Sequence, residues 1–171
     1  MDTKVEHGLS CNVLNADEFM NASPTIRHLV KMYLDTVHDK YDADTIMNIM
    51  SIAVDQPTFF IFLAEKNGVG VGLMTAHAVN IDSKAGGMLH IGVVDKNLSR
   101  AESVQVIDEA MRYLFEWAEK NNMPSIFTQT QRNEKAFDRL LMKYGWKRIT
   151  TVYEREVSHD GRYKENNSQS N

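Results

Sequence analysis

The chain is 171 residues long, with 43% hydrophobic and 25% charged residues, nine Gly, three Pro and a single Cys. That length suits one domain with one core, and the composition excludes disordered, collagenous and low-complexity chains. The lone Cys11 excludes an internal disulfide framework, and a net charge of −4 with no long basic run gives no support to a nucleic-acid or anionic-membrane surface.

Residues 1–10 are polar and predict a flexible N-terminus, and MDTKVEHGLS has no apolar stretch of the kind a signal peptide needs. Cys11–Leu14 suits a short first edge strand. Ser23-Pro24 reads as an N-cap followed by Pro at the first helical position. Ile26, Leu29, Val30, Tyr33, Leu34 and Val37 then recur at helical spacing. Asp42-Ala43-Asp44 opens a second helix with Ile46, Ile49, Met50, Ala53 and Val54 on its inner side, and Pro57 ends it.

The period then changes to that of strands. Thr58–Glu65 is rich in β-branched and aromatic residues, and Lys66-Asn67-Gly68 is a hairpin signal. Val69–Ile81 is the return strand, Asp82–Gly87 a polar turn, and Met88–Val94 a third strand. The run Phe59–Ala64 is the longest apolar-rich one and falls far short of the about 18 residues of a membrane helix. Gly70 and Gly72 alternate on one strand, which either opens a groove or admits a helix closely.

From Ser99 the helical period returns with Val104, Ile107, Met111, Leu114, Phe115 and Ala118, until Asn121-Asn122 and Pro124 stop it. Ser125–Gln129 is a short strand. Asn133 caps a helix carrying Phe137, Leu140, Leu141 and Tyr144, and Gly145 suits a left-handed C-terminal cap. Trp146–Val157 alternates as a final strand and residues 158–171 read as a disordered tail. The order β-α-α-β-β-β-α-β-α-β over residues 11–157 predicts a single α+β (mixed α/β) domain, a mixed sheet with helices on both faces.

Three stretches carry a family likeness. They are His90-Ile91-Gly92-Val93-Val94 before a helix ending Glu116-Trp117-Ala118, then Asn133-Glu134-Lys135-Ala136 with Leu141-Met142-Lys143-Tyr144-Gly145-Trp146, and the strand Ile149–Val157. In these the chain resembles the GCN5-related N-acetyltransferases (GNAT, the acyl-CoA N-acyltransferase fold family) over roughly residues 10–157. The resemblance implies acetyl-CoA held where the fourth strand splays from its neighbour. Its pyrophosphate would rest on backbone N–H groups of a Gly-rich turn at the start of the third helix, where the positive helix end attracts anions. It assigns pantetheine contacts to Val93 and Val94, pyrophosphate contacts to Ser99, Arg100, Ala101 and Ser103, and a place near the cofactor to Asn133. It also assigns the role of base, or holder of a basic water, to His90. Gln129, Gln131 and Arg132 resemble further cofactor-contacting positions, or else belong to a solvated loop.

Two departures qualify that likeness. The turn Asn97–Val104 has no glycine, and Ser99 with Glu102 three residues on also reads as a capping box. Leu141 stands where family members often place a Tyr that reprotonates the leaving thiolate. A water or Tyr153 would have to substitute, since Tyr144 reads as core or rim. His90 also reads as a hydrogen-bonded strand residue, and pairing it with His77 as a metal site lacks a third ligand. The ten Met read as core filler more than as a binding surface.

With both chemical motifs eroded, the chain resembles degenerate GNAT-like phage virion proteins. The expected function is a non-catalytic binding or assembly module with a protein partner and no required cofactor or metal. The alternative is an active N-acetyltransferase moving acetyl from acetyl-CoA to a primary amine. Neither reading involves nucleic acid or a membrane span. The expected location is cytoplasmic and not secreted, or host cytoplasm or virion for a phage-encoded chain.

Overall fold

The first helix starts earlier than Ser23-Pro24 implies. In the computed structural model, which describes residues 8–37, 41–81, 84–128 and 134–147, a strand β1 (Leu9–Val13) runs into Asn15, the N-cap of helix α1 (Ala16–Leu34). The Asn15 side chain accepts from the Glu18 amide at 3.0 Å, and the Asn15 amide donates to Glu18 Oε2 at 2.8 Å. This reciprocal box satisfies two end donors and fixes the start. Pro24 therefore lies inside the helix, on an exposed side it shares with Met20, where water can serve the carbonyl that loses its amide partner.

Asp42 caps α2 (Ala43–Ala53), as its sequence implies. Two antiparallel strands, β2 (Phe59–Lys66) and β3 (Val69–Ile81), come next, then β4 (Lys84–Val94), which starts earlier than Met88. Helix α3 (Arg100–Lys120), the short β5 (Ile126–Thr128) and α4 (Glu134–Lys143) complete the described elements. Gly145, past the end of α4, has φ +79°, the left-handed conformation expected there. Trp146 and Lys147, expected to begin the last strand, are in no strand, and Asn133, the rest of the strand expected over 146–157 and the tail 158–171 lie outside the described residues, as do residues 1–7.

The sheet order is β1-β2-β3-β4-β5, antiparallel except for the parallel β4–β5 pair. This is the mixed α+β sheet expected. Strand β2 is buried on both faces, so its residues sort by alternation. Ile61 and Leu63 face Phe19, Ile26, Leu29 and Val30 of α1, whereas Phe60, Phe62 and Ala64 face Val106, Ala110 and Leu114 of α3. Met47, Met50, Met74 and Met111 fill these cores, while Met20 and Met142 are exposed. Ile49 is 49% exposed rather than inward, and on α3 Val106 and Ala110 are buried where Val104 and Phe115 were expected.

The two strand glycines do not leave one face bare. Ala64 lies opposite Gly72 and Glu65 opposite Gly70, so Val71 is an extra residue on β3. This bulge turns the glycines to opposite sides. A Cβ on Gly70 would run into Thr25 Cγ2 of α1, and one on Gly72 would meet Val106 Cγ1 of α3 at 2.6 Å. Both glycines serve close helix packing.

Candidate functional site: the beta4 bulge and the start of alpha3

A second bulge sits at His90. Leu89 pairs with Ala76 and Ile91 with Thr75, which leaves His90 as the extra residue on β4. The inversion is visible in the cores: Leu89 packs on the α3 side, whereas Ile91 and Val93 pack on the α1 side. In a regular strand Leu89, Ile91 and Val93 would share a face. The common face expected for Met88, His90, Gly92 and Val94 is therefore broken after His90, and Val94 packs with the α3 cluster.

His77 and His90 are brought together across β3 and β4. Their rings are nearly parallel, 4° apart with centroids separated by 4.3 Å, and His90 Nε2 is in hydrogen-bond contact with His77 Nδ1. Burial holds the His77 imidazole below its ordinary pKa. From α1 the Tyr33 hydroxyl donates to the His90 carbonyl at 3.3 Å, a clasp that periodicity alone does not reveal.

Among the described residues β5 pairs with β4 only through Gly87–Leu89, where Thr128 Oγ1 also donates to the Leu89 carbonyl at 3.4 Å. Strand β4 runs on to Val94, and no described atom lies within 4 Å of a Cβ built on Gly92. Val93 is buried and Val94 half-buried.

The chain then turns into α3. Asp95 accepts from the Asn97 amide and from its side chain, both at 2.9 Å. Ser99 caps the helix: its hydroxyl accepts from the Glu102 amide at 3.2 Å, and its own amide donates to Glu102 Oε2 at 3.0 Å. The other carboxylate oxygen, Oε1, lies 2.5 Å from Lys66 Nζ at the end of β2. The Lys66 ammonium, and after it the Ser99 donors, hold the Glu102 carboxyl down at about 2. Arg100 and Ala101 are exposed and Ser103 is half-buried. The capping box was legible as sequence; the Lys66 contact was not.

At the far side Leu141 is half-buried in the α3-side core. The Tyr144 hydroxyl is hydrogen-bonded to Asp108. Burial, and then that carboxylate, push its pKa well above the tyrosine range. Cys11, half-buried on β1, has its thiol pushed up to about 11 by burial and then by Glu109. Gln129, Gln131, Arg132, Asn133 and Tyr153 lie outside the described residues. Among the described residues no three His, Cys, Asp or Glu side chains are grouped to hold a metal ion. No described helix is long and apolar enough to cross a membrane.

No protein-family model matches the chain, and no curated protein matches it. Solved structures do. The aminoglycoside N-acetyltransferase AAC(6')-Iy in complex with CoA superposes with a TM-score of 0.68 at 15% identity, covering 91% of this chain and 99% of that one. An aminoglycoside acetyltransferase, meta-AAC0020, from an uncultured soil metagenomic sample gives 0.63 at 16% identity, covering 91% and 100%. A GCN5-related N-acetyltransferase from Ralstonia eutropha JMP134 gives 0.62 at 13% identity, covering 87% and 99%. At such identities the likeness is one of fold. The mixed sheet, its helices and these superpositions agree: the chain has the GCN5-related N-acetyltransferase fold.

Proposed function

We infer that the chain is a GNAT-fold binding or assembly module that does not use acetyl-CoA, with another protein as its partner. One observation carries this reading, the Glu102 carboxylate seated at the start of α3. A pyrophosphate there needs backbone N–H donors and a local positive charge. The Ser99 amide already donates to Glu102, the Glu102 amide to the Ser99 hydroxyl, and Lys66 faces the same carboxylate. An incoming phosphate would meet a fixed negative charge beside the amides of the first turn, so the residues present fit that group poorly. Leu141 at the position of the family's usual acid points the same way. The Gly-free turn and Leu141 in the sequence are what suggest a protein assembly, in a virion or in host cytoplasm, as the setting.

A second reading has its own support at Gly92, where no described atom lies within 4 Å of an added Cβ. There the chain would be an N-acetyltransferase moving acetyl to a primary amine, with His90 as base and Val93, Val94, Ser99, Arg100, Ala101, Ser103 and Asn133 along the cofactor. One structural neighbour is bound to a bisubstrate analogue of CoA.

Calorimetric titration of acetyl-CoA into the purified chain separates the two. The binding-module reading expects no heat of binding at millimolar cofactor; a low-micromolar dissociation constant overturns it.

A further inference from the structure

The β2–β3 turn holds Asn67-Gly68, the one Asn-Gly pair in the sequence. Both residues have positive φ, +54° and +77°, and Lys66 opposite Val69 closes the loop between the strands. Asparagine and glycine suit such a turn because each accepts a left-handed backbone. The same pair sets a side-chain amide beside a backbone nitrogen that no following Cβ shields.

An asparagine loses its side-chain ammonia when the backbone nitrogen of the next residue attacks Cγ. After three other turn asparagines that nitrogen is engaged. The Leu98 amide donates to the Asp95 carbonyl at 3.2 Å, the Asn122 amide to the Glu119 carbonyl at 3.0 Å, and the Met123 amide to the Ala118 carbonyl at 2.9 Å. Asn122 shares the left-handed backbone, with φ +53°, so conformation alone does not separate it from Asn67. The Gly68 amide donates to no described acceptor, and a Cβ built on Gly68 meets no described atom within 4 Å. Asn67 and Gly68 are both exposed. The Asn67 side chain lies against Gly8, where an added Cβ would run into its Oδ1.

We propose that Asn67 is a deamidation site whose product loosens the start of β1. The Gly68 nitrogen gives up its proton and bonds to Asn67 Cγ. The Cγ–Nδ2 bond then breaks, and ammonia leaves with that proton as a succinimide closes. Water opens the ring at either carbonyl and leaves aspartate or isoaspartate at position 67. Local opening of the exposed turn admits the attack. Isoaspartate adds a methylene to the main chain, so the turn no longer matches the strand twist. The Asn67 amide donates to the Gly8 carbonyl at 2.9 Å, and Leu9 pairs with Lys66, so distortion there reaches the first pair of β1. The new carboxylate also stands next in sequence to Lys66, whose ammonium Glu102 holds.

The test is peptide mapping of the full chain after folded incubation at mildly alkaline pH, with isoaspartate scored by enzymatic methylation. Acid should accumulate at position 67, faster as pH rises, while Asn97, Asn121 and Asn122 stay amides. Asn67→Gln should abolish the conversion, because the longer side chain needs a larger ring. In the isoaspartate fraction, exchange of the β1 amides should quicken about tenfold. Asn67→Asp, which adds the charge without the methylene, should change that exchange far less. Asn67 that stays intact while the urea-unfolded chain converts overturns the proposal. So does acid confined to Asn166 and Asn167 of the tail. Equal β1 exchange in the modified and unmodified fractions overturns the loosening.

Discussion

Lys66 Nζ lies 2.5 Å from Glu102 Oε1, and through this contact the end of β2 is tied to the first turn of α3. The Glu102 carboxyl is held at about 2, against an ordinary value of 4.5. It therefore binds a proton less readily folded than unfolded. A group depressed in this way stabilises the fold above the unfolded value, and that contribution is lost as pH falls from about 4.5 towards 2. Glu102→Gln should melt below the unsubstituted chain at neutral pH, and the gap between their melting temperatures should close across that acid window. A gap of the same size at every pH would show that the carboxylate charge contributes nothing.

Tyr144 is the tyrosine nearest the position of the family's usual acid, yet it is hydrogen-bonded to Asp108 and held above the ordinary tyrosine range by burial. It should remain protonated where an unburied tyrosine ionises, near pH 10. In a tyrosinate absorbance titration Tyr144→Phe should leave that main phase unchanged and remove a later one. Loss of one group from the main phase instead would mean that Tyr144 is solvated.

The elements most legible in the sequence were those decided by local patterns. The bounds Val69–Ile81 follow from a hairpin signal and a β-branched run, and Ser99 with Glu102 announces the start of α3 within four residues of chain. The start of α1 was legible too, since Asn15 and Glu18 form the same kind of box. But Ser23-Pro24 competes with it, and proline at the first turn and proline in an exposed helix interior look alike in one dimension. The bulges at Val71 and His90 had no local signal. An inserted residue shows only once the partner strand fixes the register, and each one reverses the faces of the strand residues beyond it. The contacts of Lys66 with Glu102 and of Tyr33 with the His90 carbonyl join distant elements, so no spacing rule reaches them.

Cys11 provides a check on burial at the sheet edge. Its thiol is raised from 9.0 to about 11, chiefly by desolvation. Two pH units cost roughly a hundredfold in thiolate, the reacting species. A disulfide reagent at neutral pH should label the native chain roughly a hundredfold more slowly than the denatured one. Equal rates would place the thiol in water.

Gly72 and Gly92 offer a matched comparison within the one sheet. At Gly72 a new Cβ would sit 2.6 Å from Val106 Cγ1 and 3.3 Å from the Ala64 Cβ. Val106 is 1% exposed and β-branched, so it cannot swing aside without disturbing α3. Gly72→Ala should therefore destabilise by about 1–3 kcal/mol, the usual cost of overpacking a core. That is a fall of roughly 2–12 °C in melting temperature for a chain of this size. At Gly92 no described atom lies within 4 Å of the added methyl, and φ there is not positive. Gly92→Ala should leave the melting temperature unchanged or slightly raised, because alanine restricts the unfolded chain more than glycine does. Parallel thermal melts of the two variants decide the matter. Equal losses would mean that the surroundings of Gly92 are filled, and would remove the observation that favours the acetyltransferase reading.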